Sequence, residues 1–209
     1  GPEGLSVRGG NVVDAAGRVV VPLAELLGEE GIEETVEFHH RPTHPLDENG
    51  QGDAHVQFAY AAHRAVVEVD TELGLVRVVE VATAQDVGKA INPQAVEGQI
   101  EGGIAQGLGL ALMEEIQVRE GKVQNASFTD YLIPTILDMP SVRAEILELA
   151  DPEAPYGLKG VGEPPTIAST PAIVAALRDA TGRELNRVPV RPEQIVGIAE
   201  RPAAPERSR

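Results

Sequence analysis

Asn92-Pro93-Gln94-Ala95-Val96-Glu97-Gly98-Gln99-Ile100-Glu101-Gly102-Gly103-Ile104-Ala105-Gln106-Gly107-Leu108-Gly109 reads as the opening of a long helix. Asn92 suits the N-cap, and Pro93 suits the first helical position, where a missing N–H leaves no bond unmade. Val96, Ile100, Ile104, Leu108, Leu112 and Ile116 recur every fourth residue, so the spacing predicts a helix from Pro93 to about Ile116 with one apolar face. Gly98, Gly102, Gly103, Gly107 and Gly109 lie inside it, and against alanine they would cost the helix about 5 kcal/mol. That loss must be offset. Either another backbone packs very close to the helix, or a ligand lies on its bare surface.

Around this helix the pattern mixes strands and helices without regular strand–helix alternation, which indicates an α+β fold. Val7 to Val20 alternates around Gly9-Gly10-Asn11 and Ala16-Gly17, as short strands and turns do. Pro22 opens a short helix ending near Gly28, and Thr35 to His39 reads as a further strand. Residues 41 to 54, with Pro42, Pro45, Asn49, Gly50 and Gly52, form a long surface loop. Val56 to Val69 and Leu75 to Val81 are β-rich and are joined by the turn Asp70-Thr71-Glu72-Leu73-Gly74. Arg143 to Leu149 alternates like a half-buried strand. Thr170-Pro171 is expected to cap a C-terminal helix running to Gly182. One structural portion is expected over residues 1–200, with 201–209 a frayed tail.

Composition narrows the function. The 209 residues are 42% hydrophobic, enough for a core, and no apolar run approaches the ~20 residues of a membrane span. The chain contains no cysteine, so disulfides, thiolate zinc sites and iron–sulfur ligation within it are excluded. Thirty-three acidic residues against 17 basic ones give a formal charge of −16, which repels nucleic acid and anionic membranes.

Gly157-Leu158-Lys159-Gly160-Val161-Gly162-Glu163-Pro164-Pro165 places one carboxylate in a tightly specified backbone. Gly160 and Gly162 permit close approach, while Pro164 pushes Glu163 toward an extended conformation. Read alone, Glu163 is either an exposed turn residue or a carboxylate presented for chemistry. His39, His40, His44, His55 and His63 fall within 25 residues, but Pro42 and Pro45 break any helix that would aim His40 and His44 together, so no metal site is expected. The glycine-rich helix has neither a dinucleotide-binding nor a phosphate-loop pattern.

Asp86-Val87-Gly88-Lys89-Ala90-Ile91-Asn92-Pro93, the glycine-rich helix and Lys159-Gly160-Val161-Gly162-Glu163-Pro164-Pro165 together resemble the C-terminal part of the molybdenum-binding subunit of the xanthine dehydrogenase and aldehyde oxidase family. The likeness runs from about Gly50 to Gly197. Arg41-Pro42-Thr43-His44-Pro45-Leu46, Ser127-Phe128-Thr129-Asp130-Tyr131 and Ala154-Pro155-Tyr156-Gly157 are most similar to bacterial xanthine dehydrogenases. The resemblance implies a molybdenum–molybdopterin cofactor shared with a partner chain that carries the remaining portion of the molybdenum-binding subunit. It also implies oxidation of hypoxanthine and xanthine with oxygen from water, Glu163 being the general base that takes the proton from the attacking hydroxyl. Gln99, Gly98, Gly102 and Gly103 would face the pterin. Iron–sulfur clusters and FAD would reside on partner chains of a cytoplasmic, higher-order complex. Aldehyde or carbon monoxide oxidation, or a non-catalytic assembly role, remain alternatives.

Overall fold

The computed structural model describes residues 3–29 and 31–198, so the expected tail lies outside the described residues. The chain divides into two compact units, residues 1–39 and 40–209. In the first, strands β1 (Ser6–Arg8), β2 (Asn11–Val13) and β3 (Val19–Pro22) form an antiparallel meander, followed by helix α1 (Leu23–Leu27). The Asp14 carboxylate folds the second turn by accepting the N–H groups of Ala16 and Arg18. The strand expected over Thr35 to His39 does not form: these residues are exposed coil. A β-prone run without a neighbour to pair with has nothing to satisfy its backbone.

The second unit is built on a hairpin of β4 (Ala61–Asp70) and β5 (Leu75–Asp86), which β8 (Ser141–Leu147) joins in parallel alongside Glu80 to Asp86. Residues 56–60, expected to be β-rich, precede the strand as irregular chain. Asp70 builds the hairpin turn, accepting the N–H groups of Glu72 and Leu73, and Gly74 closes it at φ 71°. Ala65, Val67 and Val69 alternate inward from β4. The parallel pairing of β5 with β8 requires a crossover, and helix α2 (Pro93–Leu112) supplies most of it. A two-stranded ribbon, β6 (Val118–Arg119) with β7 (Lys122–Val123), lies between α2 and β8 along the chain.

Asn92 caps α2 as expected, its side chain accepting the N–H of Ala95 at 3.1 Å. The helix stops earlier than the spacing predicts, at Leu112, where the N–H groups of both Met113 and Glu114 turn back to the Gly109 carbonyl. Ile116 is consequently exposed, not part of the core stripe. Ile100, Ile104 and Leu108 do face the core, together with Val78 and Val81 of β5 and Ile173 and Leu177 of helix α3 (Pro164–Thr181). A short helix, α4 (Pro192–Val196), contributes Ile195.

Helix α3 begins six residues before the expected cap at Thr170-Pro171, and Pro171 lies within it on an exposed face. Pro164 and Pro165 occupy its first two positions, where no N–H is needed. Glu163 is its N-cap residue in right-handed helical geometry, φ −88° and ψ −38°, not the extended conformation expected before proline. The carbonyl of Glu163 accepts the N–H groups of Thr166 and Ile167, and these bonds outweigh the local preference.

Candidate cofactor and catalytic site

Helices α2 and α3 lie side by side and parallel. Thr166 and Thr170, one turn apart, donate their hydroxyls to the carbonyls of Gly103 and Gly107, also one turn apart. This approach explains two of the five glycines. A Cβ on Gly103 would lie 2.6 Å from Pro165 Cβ, and one on Gly107 would run into Ser169 Oγ and sit 3.0 Å from Ser169 Cβ. Gly109 is tight against Glu114 and Pro134 for a similar reason.

Gly98 and Gly102 differ. Both are exposed, and a Cβ on either would meet nothing within 4 Å. The structure therefore splits the glycines between the two explanations left open by their cost. Gly103, expected on the cofactor face, is buried against Pro165, and helix packing accounts for it. Gly98 and Gly102, spaced one turn apart, leave an open strip of backbone that no contact within the chain accounts for.

Gln99 lies beside that strip, and its Oε1 is 3.6 Å from where a Cβ on Gly162 would be. Gly162 directly precedes Glu163, so the fold brings Gln99 and the exposed Glu163 to the same end of the helix pair from positions 64 residues apart. The strip is polar-flanked, bare and next to a carboxylate at a helix N-terminus. Such a surface can take the flat face of a polar ring against the bare backbone more readily than a bulky apolar group.

Two loops hold this end together. Lys159 donates its backbone N–H to Val87, Lys89 donates to Gly157, and Gly88 pairs with Leu158 as an isolated bridge. Gly88 is required here, because at its φ of 63° a Cβ would collide with the Gly157 carbonyl. Lys159 Nζ lies 2.6 Å from Asp86 Oδ2, and the other Asp86 oxygen accepts the Gly88 N–H. Burial pushes the Asp86 carboxyl up, but the Lys159 ammonium and the Gly88 N–H outweigh it and hold it below the usual range. Sequence reasoning gave Asp86 and Lys159 no role. Nothing local could have paired residues 73 apart.

Among the histidines, His63 points inward from β4, where burial holds it below the ordinary imidazole range despite the nearby Gln85 amide. The buried polar atoms of His63, Thr83 and Gln85 have no hydrogen-bond partner. His55 stacks edge-on against Phe58. Among the described residues there is no group of three or more His, Cys, Asp or Glu able to hold a metal ion, and no helix long and apolar enough to cross a membrane.

Known proteins share this fold. Residues 1–140 match the family described as "Molybdopterin cofactor-binding domain", a range that includes α2 but not Glu163. The chain is 38% identical over 147 residues to a probable xanthine dehydrogenase subunit of Bacillus subtilis (strain 168), covering 70% of this chain and 20% of that protein. It is 39% identical over 144 residues to the gamma subunit of the 6-hydroxypseudooxynicotine dehydrogenase complex of Paenarthrobacter nicotinovorans, covering 67% and 18% respectively. The solved quinoline 2-oxidoreductase of Pseudomonas putida 86 superposes with a TM-score of 0.73 at 31% identity, over 96% of this chain and 26% of that one. The chain thus spans about a fifth of the length of the curated relatives it matches.

Proposed function

Since the chain belongs to the molybdopterin cofactor-binding family of xanthine dehydrogenases and aldehyde oxidases, we propose that it forms one wall of a molybdenum hydroxylase site completed by further polypeptide. The observation that carries this reading is the open Gly98–Gly102 strip with Gln99 beside it and Glu163 at the adjoining helix start. Gly98 and Gly102 would let the α2 backbone approach the pterin, and the Gln99 amide would donate to it. When bound, the molybdenum cofactor supplies the two-electron oxidation of an electron-poor carbon. Glu163, held at the N-cap of α3, would act as the general base that takes a proton from the attacking oxygen.

The substrate we assign is a purine, hypoxanthine or xanthine, with electrons leaving to iron–sulfur and flavin centres on partner chains in the cytoplasm. The likeness to the xanthine dehydrogenase subunit favours it, while the similar identity to the nicotine-pathway subunit favours another nitrogen heterocycle as the second reading. Co-expression with the polypeptide carrying the rest of the molybdenum-binding region should yield an assembly that contains molybdenum and reduces an acceptor on adding xanthine. An assembly without molybdenum would leave the chain a scaffold. One with molybdenum that accepts only other heterocycles or aldehydes would move the substrate.

The open strip leads to a second expectation. Gly98→Ala and Gly102→Ala should each stabilise the chain by about 1 kcal/mol, because alanine is the better helix former and the added methyl meets nothing. In the assembly the same changes should lower molybdenum occupancy. Thermal melts and metal analysis on one preparation check both; a stabilised variant with full molybdenum content would remove the cofactor from this strip.

A further inference from the structure

Three residues separate Lys159 from Glu163, and they are sparsely held. Gly160 has nothing within 4 Å of a Cβ position, Gly162 has only Gln99 at 3.6 Å, and Val161 alone packs against the core. Among the described residues, the main-chain bonds flanking this run are those of Lys159 to Val87 before it and of Thr166 and Ile167 to Glu163 after it. The proton acceptor therefore hangs between α3 and whatever fixes Lys159.

Besides its backbone bond to Val87, Lys159 is held by a buried charge pair. The Asp86 side chain is 1% exposed and that of Lys159 12%, at 2.6 Å. A pair so buried loses hydration on both partners, and replacement by packed apolar residues is often neutral or stabilising, so fold stability is a weak account of it. Its position suggests another. Asp86 ends β5 and opens the loop to α2, which carries Gln99; Lys159 opens the loop to α3, which carries Glu163. One carboxylate ties both loops, through Lys159 Nζ on one oxygen and the Gly88 N–H on the other.

We propose that the Asp86–Lys159 pair is a positioning clamp, which sets where Glu163 stands relative to Gln99 by fixing the two loops that lead to their helices. The clamp rests on the reading of Glu163 as proton acceptor, but its mechanical part is measurable without that chemistry. Neither partner touches the reacting atoms; both act through the segment 160–162.

The absence of cysteine allows a direct test in the full chain. Lys159→Cys is alkylated while unfolded with 2-bromoethylamine, which rebuilds an ammonium at nearly the native length, or with iodoacetamide, which leaves a neutral amide; both are refolded beside wild type carried through the same steps. In the amide form, hydrogen exchange at residues 89 and 159, whose N–H groups bond the Gly157 and Val87 carbonyls across the two loops, should accelerate about tenfold or more, while Ile100 to Leu108 exchange as in wild type. The aminoethyl form should return to within about twofold of wild type. Asp86→Asn, which keeps the shape, should reproduce the amide form without any refolding step. In the assembled enzyme, substrate-driven reduction should slow about tenfold or more with KM little changed, and recover only with the aminoethyl side chain. Equal recovery by both alkylated forms, unchanged exchange at residues 89 and 159, or equal acceleration throughout the core would overturn the clamp. Restored exchange without any substrate oxidation by the wild-type assembly would instead sink the role of Glu163.

Discussion

If the chain acts as proposed, Glu163→Gln is expected to lower turnover of the assembled enzyme by about 10²–10⁴, or roughly 3–5 kcal/mol of transition-state stabilisation, while molybdenum content and assembly stay close to wild type. The amide preserves size and shape but cannot take a proton from the attacking oxygen. Glu163 is exposed and its side chain makes no capping bond to α3, so its loss should leave the fold untouched. An ordinary surface substitution at such a position would change stability by no more than about 0.5 kcal/mol and rate hardly at all. The two accounts therefore differ by orders of magnitude. Pre-steady-state reduction by substrate isolates the step: it should be slow in the variant while reoxidation by the final acceptor is not. Reduction at the wild-type rate would remove Glu163 from the base role and leave family membership intact.

Gly103→Val and Gly107→Val produce the second large effect, and here it falls on stability. Each new side chain grows into α3, against Pro165 in one case and Ser169 in the other, where the backbones are joined by the Thr166 and Thr170 hydroxyls. Overpacking of this kind costs about 1–3 kcal/mol. In a chain of this size each kcal/mol corresponds to about 2–4 °C in Tm. Gly98→Val, on the open strip, should cost far less, since the added carbons meet no neighbour. Thermal or urea unfolding of the three variants ranks them. A Gly98→Val variant as unstable as Gly107→Val would mean that the glycines do not divide between packing and an open face.

That division also shows why sequence alone misplaces Gly103. All five glycines of α2 carry the same local signal, a helix costlier than its apolar stripe warrants. Which of them meets α3 depends on where Pro165, Thr166 and Ser169 arrive, 62 residues after Gly103 in the case of Pro165. The start of α3 escapes local reading for a related reason. The preference of a residue before proline for extended geometry is weak, and the bonds from Thr166 and Ile167 to the Glu163 carbonyl override it. Thr170, expected as a cap, spends its hydroxyl on the Gly107 carbonyl of the neighbouring helix.

What the sequence determined by itself is what short-range chemistry decides. Asn92 and Pro93 start α2 through a side-chain bond three residues long, Asp70 and Gly74 turn the hairpin, and Gly182 ends α3 in left-handed geometry. The run Gly160 to Pro165 did not mark Glu163 in this way: read alone it left a turn residue and a presented carboxylate both open, and its local preference for extended geometry gave way to the helix. Only the tertiary structure decided which end of α2 stays bare, that Gln99 stands beside Gly162, and that Asp86 and Lys159 join. Those outcomes depend on packing and charge pairing between segments more than 60 residues apart, and no local propensity encodes the distance at which two such segments come to rest.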